Sequence, residues 1–180
     1  MIDTERTILR PFNKNDFDII FGLYANDKIM MYMPNDIMTE EQAQNHLNQI
    51  VNDWQAKNQT NFEMAIIDKK TNKKIGRTRI SLDLDSQTAM IGWLLLESYW
   101  GKGYATEITR ALLTYSFDVL NVHRVSALCH PNNAGSRHVL EKNNLRQEAY
   151  YVKKAKYIKK GTTMWQDEVE YAILDSEFNN

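Results

Sequence analysis

Three strand-length segments, residues 62–67, 75–84 and 88–95, stand almost end to end in this chain, and their spacing restricts the fold more than any other feature. The first two are joined by the polar turn Asp68-Lys69-Lys70-Thr71-Asn72-Lys73-Lys74, the last two by Asp85-Ser86-Gln87. Parallel neighbours need a crossover of a dozen or more residues, so connections this short dictate an antiparallel meander. In the second segment Ile80, Leu82 and Leu84 alternate with Arg79, Ser81 and Asp83, the period of a strand with one buried face.

Other patterns flank the meander. Thr7-Ile8-Leu9-Arg10 reads as a first strand ended near Pro11. Asn15 is placed to cap a helix carrying Phe17, Ile20, Phe21 and Tyr24 on one face. Thr39 with Gln42 makes a capping-box pattern ahead of Ala43, Leu47, Ile50, Val51 and Trp54, which gives a helix to about Lys57. After the meander a helix runs to about Leu120, with Ile108, Leu112, Tyr115 and Val119 on its buried face. Residues 125–129 form a short strand, 134–142 a helix introduced by Asn132-Asn133, and 149–158 with 169–174 a last strand pair across a polar loop. The sum is an α+β chain, a meander followed by a strand–helix–strand crossover. No repeat, low-complexity tract or Pro/Gly/Ser-rich linker interrupts it, so residues 1–180 are read as one domain.

Composition removes whole classes of function. Hydrophobic residues make up 43% and charged residues 25%, ordinary values for a globular protein, and formal net charge is −1. A balanced charge leaves no footprint for nucleic acid or an anionic membrane. Cys129 is the one cysteine, so no intrachain disulfide can form. No secretory-type leader opens the chain and no apolar run approaches ~20 residues, so the expected location is the cytoplasm. His46, His123, His130 and His138 lack metal-ligand spacings, and no metal is expected. His123 and His130 read as surface or strand-end residues, and Cys129 as an inert end to a buried strand.

The turn between the meander and the following helix carries the chemistry. It reads Trp100-Gly101-Lys102-Gly103-Tyr104-Ala105-Thr106. A helix start leaves backbone N–H groups without intrahelical acceptors, and their partial positive charge suits a phosphate. Gly101 and Gly103 permit positive φ and close approach of an anion, and Lys102 adds charge. Two glycines can equally be only a tight turn. The order Gly-Lys-Gly is not a Walker loop, and Thr106 stands where a dinucleotide fingerprint needs a third glycine.

The longer string from Ile91 through Glu107 resembles the acetyl-CoA motif of the GNAT N-acetyltransferases, Gln/Arg-x-x-Gly-x-Gly/Ala, with Trp100 where Gln or Arg is usual. The wording Trp-Gly-Lys-Gly-Tyr-Ala-Thr-Glu is similar to the branch of RimJ/RimL-type ribosomal-protein N-terminal acetyltransferases. Residues 131–145 resemble that branch's Asn-x-x-Ser helix, with Asn144 and Leu145 replacing its usual Gly and Phe. Residues 157–168 resemble its closing hairpin. Together the three motifs cover about residues 6–174.

This resemblance implies a GNAT-like fold: a central, mostly antiparallel twisted sheet with a splayed parallel strand pair and helices on both faces. It implies that acetyl-CoA is bound by Trp93, Leu94, Leu95, Trp100, Gly101, Lys102, Gly103, Tyr104, Ala105, Thr106, Asn133 and Ser136, and that the partner is an amine acceptor, a protein N-terminus or a small molecule. A homodimer is also within the family pattern. Trp93, Leu94 and Leu95 would pair pantetheine amides through their backbones, whether or not their side chains are core residues, and an N–H near Leu94 or Leu95 would be the oxyanion donor. Ser136 resembles the serine presented to the CoA sulfur and is the catalytic candidate; its alternative is a small polar residue in a first helical turn. Asn133 is a cofactor residue or a plain N-cap.

Two proton-transfer positions depart from the pattern. Met90 stands where a glutamate often precedes Ile-Gly, and Leu140 where many members have a tyrosine. They leave open a non-catalytic acyl-CoA-binding module. Glu107 resembles the branch's helix-start glutamate, a position where a carboxylate usually stabilises the dipole. Acceptor recognition is expected from the loops around Asn26 to Asp36 and Lys153 to Trp165, whose sequences carry no readable code.

Overall fold

The computed structural model describes residues 1–55 and 59–178. The meander is present as β3 (Asn61–Asp68), β4 (Lys73–Asp83) and β5 (Thr88–Leu95), each pair antiparallel. Two earlier strands, β1 (Ile2–Asp3) and β2 (Thr7–Pro11), extend it on one side. On the other side β6 (Arg124–Cys129) joins β5 in parallel after the crossover helix α3 (Tyr104–Asp118). The hairpin of β7 (Arg146–Lys159) and β8 (Thr162–Leu174) completes the sheet in the order β1-β2-β3-β4-β5-β6-β8-β7. The remaining helices are α1 (Phe17–Tyr24), α2 (Glu40–Asp53), α4 (Ala134–Lys142) and the short α5 (Asp175–Phe178).

Strand alternation sends side chains to two cores. Met64, Ile66, Ile80, Ala89, Ile91 and Leu95 pack with Ile108 and Leu112 of α3 and Leu140 of α4. Ala65, Ile67 and Leu94 pack with Ile19, Ile20 and Leu23 of α1 and Ala43, Leu47 and Ile50 of α2. The expected mostly antiparallel sheet with helices on both faces and one parallel pair is therefore present.

Local expectations fared unevenly. Thr39 and Gln42 do form a reciprocal capping box, with Gln42 N–H on Thr39 Oγ1 at 3.2 Å and Thr39 N–H on Gln42 Oε1 at 2.9 Å. That helix ends at Asp53; the expected end near Lys57 lies outside the described residues. Asn15 is not the cap. Asn13 accepts the Asn15 N–H and opens a 3₁₀ turn that runs into α1, because the chain tightens before the α-helix begins. Val119 is 61% exposed instead of buried: it caps the C-terminus of α3, where the helical face turns to solvent. Leu84 is likewise exposed, in the turn beyond β4.

The closing strands are much longer than the sequence suggested. Lys160 (φ 49°) and Gly161 (φ 71°) make the two-residue loop of a hairpin in which Lys159 pairs with Thr162. Two successive left-handed residues match the right-handed twist of the strands they join. The polar stretch that the residue pattern gives as a loop is strand on both sides of this turn, in line with the resemblance of residues 157–168 to a closing hairpin.

Candidate active site

The site begins where the sheet opens. β5 and β6 are paired only from Thr88↔Arg124 to Met90↔Ser126. Beyond that rung both strands continue without pairing to each other, to Leu95 and Cys129. The Leu96 N–H donates to Ile75 O at 2.9 Å. In an antiparallel ladder alternate residues bond to opposite neighbours, so this register commits Gly92 and Leu94 to β4 and turns the N–H groups of Trp93 and Leu95 toward the gap. Of the two positions expected to offer a donor, Leu95 turns its N–H toward the gap and Leu94 turns its N–H toward β4. The side chains of Leu94 and Leu95 are buried in the two cores, so only their backbones are available.

The glycine turn follows at the end of β5. Gly101 (φ 69°) and Gly103 (φ 81°) are both left-handed, and Gly103 occupies the N-cap of α3 with no side-chain cap. The first-turn N–H groups from Tyr104 to Thr106 are therefore left for an external acceptor. The Trp100 indole donates to Leu95 O at 2.8 Å, clamping the turn to the strand end, and remains 43% exposed. The Lys102 ammonium is folded back on Ser98 O at 2.7 Å. The Tyr104 hydroxyl donates to Asp68 at 2.9 Å, which commits that side chain to the scaffold. These unpaired donors and the open strand edge fit a diphosphate-linked pantetheine chain.

One group of residues holding this turn was not found from the sequence. Glu107 accepts from Thr4 Oγ1 (2.6 Å), Arg6 N–H (2.8 Å) and Arg6 Nε (2.6 Å). Burial pushes its carboxyl upward, but these hydrogen bonds and the Arg6 charge outweigh burial and hold it below the ordinary value of 4.5. A carboxylate so committed is a structural anchor. Arg6 also donates to Lys102 O at 2.9 Å and lies 4.3 Å over the Tyr104 ring. The contact spans about a hundred residues of chain, and no local pattern signals it.

On α4, Asn133 is the N-cap, with Oδ1 accepting the Ser136 N–H at 3.1 Å. Among the described residues the Ser136 hydroxyl makes no hydrogen bond of its own. Leu140 is 1% exposed, a core residue with no proton to give. Met90 forms the last rung before the gap, so no carboxylate stands at that position. Burial pushes the Cys129 thiol up to about 11, which keeps it protonated and poorly nucleophilic.

The two loops expected to shape the acceptor side meet. Ile158 N–H donates to Pro34 O (2.9 Å), Lys159 Nζ to Met30 O (2.7 Å) and Asn35 O (2.6 Å), Lys160 N–H to Asp36 (2.6 Å), and Tyr157 OH to Tyr32 O (3.0 Å). His130 follows the end of β6, as expected, and is packed there. Its ring lies 5.1 Å from Tyr32 and 6.3 Å from Tyr157. Its Nδ1 accepts the Asn132 N–H, leaving Nε2 to carry a proton toward Gln166 Oε1 at 3.3 Å.

A mostly antiparallel sheet split at its parallel pair, with a glycine-lined helix start beside the split, is the GNAT acetyltransferase fold. Residues 6–146 match the family model described as Acetyltransferase (GNAT) domain, and the chain belongs to that family. The uncharacterized N-acetyltransferase YnaD of Bacillus subtilis (strain 168) is 33% identical over 178 residues, covering 99% of each chain. A crystal structure of a GNAT-family acetyltransferase from Bacillus anthracis superposes with a TM-score of 0.83 at 33% identity, covering 98% of this chain and 99% of that one. Spermidine N-acetyltransferase from Vibrio cholerae, solved with CoA and spermine, has a TM-score of 0.82 at 21% identity over 97% of this chain and 99% of its own. At that identity the likeness extends to the fold. The chain is thus an acyltransferase, and acetyl-CoA is the acetyl donor its family uses.

Proposed function

We propose that this protein transfers acetyl from acetyl-CoA directly to the primary amine of a small molecule. The observation that carries this reading is the unpaired stretch of β5 beyond Met90, running into a helix start whose N–H groups are uncapped. Gly101, Gly103 and the N–H groups from Tyr104 to Thr106 would hold the pyrophosphate, and Trp93 and Leu95 the pantetheine. Acetyl-CoA supplies the activated acetyl thioester. A Trp93 or Leu95 N–H would stabilise charge on the carbonyl oxygen, and the free Ser136 hydroxyl would give its proton to the departing sulfur. No carboxylate occupies the Met90 position, so the amine would lose its proton to water, a loss easier for an α-amine than for a lysine-type or polyamine ammonium near ~10.

The RimJ/RimL-like wording of the glycine turn favours a protein N-terminus as acceptor. Two contacts favour a small one: the Tyr32 ring packs tilted against His130, and the 30–36 segment is bonded to the β7–β8 hairpin, so a loop crosses that end of the acceptor face. A thiol-release assay on amines and short peptides distinguishes them. Turnover confined to small amines supports this reading, dominant turnover of peptide N-termini overturns it, and donor binding with no turnover of any amine would mark a binding module.

A further inference from the structure

Among the described residues Arg79 has no hydrogen-bond or ion-pair partner. It lies on β4, half-buried, with its Nε wholly shielded from solvent. Burying such a group without a counter-charge is costly, so a position that retains one needs a reason. Its cross-strand partners are Glu63 on β3 and Gly92 on β5. Cross-strand partners share a face of the sheet, so Arg79 lies on the α1/α2 side, one rung from the strand that borders the gap.

The neighbouring carboxylates do not reach it. Glu63 is already bonded to Arg77, which is 7% exposed, lies 5.5 Å from the Tyr24 ring and has its own Nε unpartnered. Asp53 on α2 is within electrostatic reach of His46 but makes no ion pair with Arg79. Two guanidinium groups and two carboxylates thus share this region, and among the described residues neither carboxylate bonds Arg79. Space is also present: a Cβ added to Gly92 would meet nothing within 4 Å. A glycine at this rung leaves room beside Arg79 on the strand whose next residues, Trp93 to Leu95, border the gap.

We infer that Arg79 is an anion anchor in the acceptor site and that the acceptor is a small amine carrying a carboxylate, of the α-amino-acid class. The inference rests on the transferase reading above. A planar guanidinium accepts a carboxylate through two parallel hydrogen bonds, which fixes the orientation of a neighbouring amine. A polyamine would instead bring ammonium groups against an unpaired cation.

The test compares amino acids with their decarboxylated amines: L-tryptophan against tryptamine, L-tyrosine against tyramine and L-lysine against cadaverine, with spermidine added. Acetyl transfer is read by thiol release for wild type, Arg79→Gln and Arg79→Lys. Carboxylate-bearing members should exceed their decarboxylated partners by about 100-fold in kcat/KM. In Arg79→Gln the ratio should fall below about threefold, mostly through KM, and Arg79→Lys should recover part of it. The melting temperature of Arg79→Gln should stay level or rise, because an orphan charge is removed.

Equal turnover within each pair, preference for spermidine, or a variant that keeps the wild-type ratio would overturn the inference. A clear fall in melting temperature would mark Arg79 as structural and overturn it as well. If no amine is acetylated, calorimetry of the same pairs into the CoA-saturated protein decides: no carboxylate preference there refutes the anchor. Acetyl-CoA titrated alone reports separately on the transferase reading, and should it fail to bind, the pairs titrated into the free protein still decide Arg79.

Discussion

Substituting Gly103 by Val probes the turn through its backbone and not through its space. The nearest heavy atom to an added Cβ would be Arg6 Nη2 at 3.4 Å, the far end of a flexible side chain. The obstacle is φ, at 81°. A β-branched residue held there costs about 1–3 kcal/mol. The turn can keep its shape and lose that much stability, about 2–12 °C in melting temperature for a chain this size. Or it can relax toward negative φ and swing its N–H groups off the phosphate position. Each charge-assisted bond lost costs about 1.5–3 kcal/mol, on the order of 10- to 100-fold in affinity. Relaxation removes strain at no cost to the empty protein, so we expect a Kd for acetyl-CoA raised at least ~100-fold with a fall of no more than ~6 °C. Calorimetric titration with a thermal melt measures both. Unchanged affinity in a folded variant would refute the assignment of this turn. Gly135→Ala is the control: it is the second residue of α4 with its nearest neighbour at 3.7 Å, and the change should leave stability level or raise it by up to about 1 kcal/mol.

Other outcomes follow from the same contacts. Ser136→Ala should lower kcat about 10- to 100-fold while leaving the melting temperature unaltered, since only its N–H, not its hydroxyl, is bonded; an unaltered kcat would remove the proton-donor role. Glu107→Ala should destabilise by about 2–3 kcal/mol, because Thr4 and Arg6 lose their shared acceptor. The Glu107 carboxyl is depressed on folding, so its contribution is present above the ordinary value of 4.5 and is lost as pH falls through the folded value; Glu107→Gln should flatten that acid limb in melts taken from neutral pH downward. Cys129→Ala should retain transfer, and iodoacetamide should label the wild-type thiol slowly at neutral pH, given a thiol held near 11; rapid labelling with loss of activity would instead point to acetyl transfer through this thiol.

What the sequence disclosed and what it hid divide along chain separation. The meander was legible because two short connections leave no other pairing, and the glycine turn because left-handed geometry selects glycine locally. Thr39 and Gln42 were legible for the same reason, a reciprocal bond across one helical turn. Arg6 was hidden because its partner lies at Glu107, and Arg79 because its environment depends on a neighbouring strand's glycine. The length of β7 and β8 was obscured by exposure on both faces, which erases the apolar alternation, although Lys160-Gly161 was a turn signal that could have been weighed. Val119 followed the helical period and still lies in solvent, because the period continues past the point where the core ends.

The central claim is that one opening in the sheet and one helix start together hold the acetyl donor. A crystal structure with bound CoA tests it most directly. The account predicts the pyrophosphate on the N–H groups between Gly101 and Thr106, with the pantetheine lying along Trp93 and Leu95 between β5 and β6. CoA seated elsewhere, or a gap closed by continuous β5–β6 pairing past Met90, would contradict it.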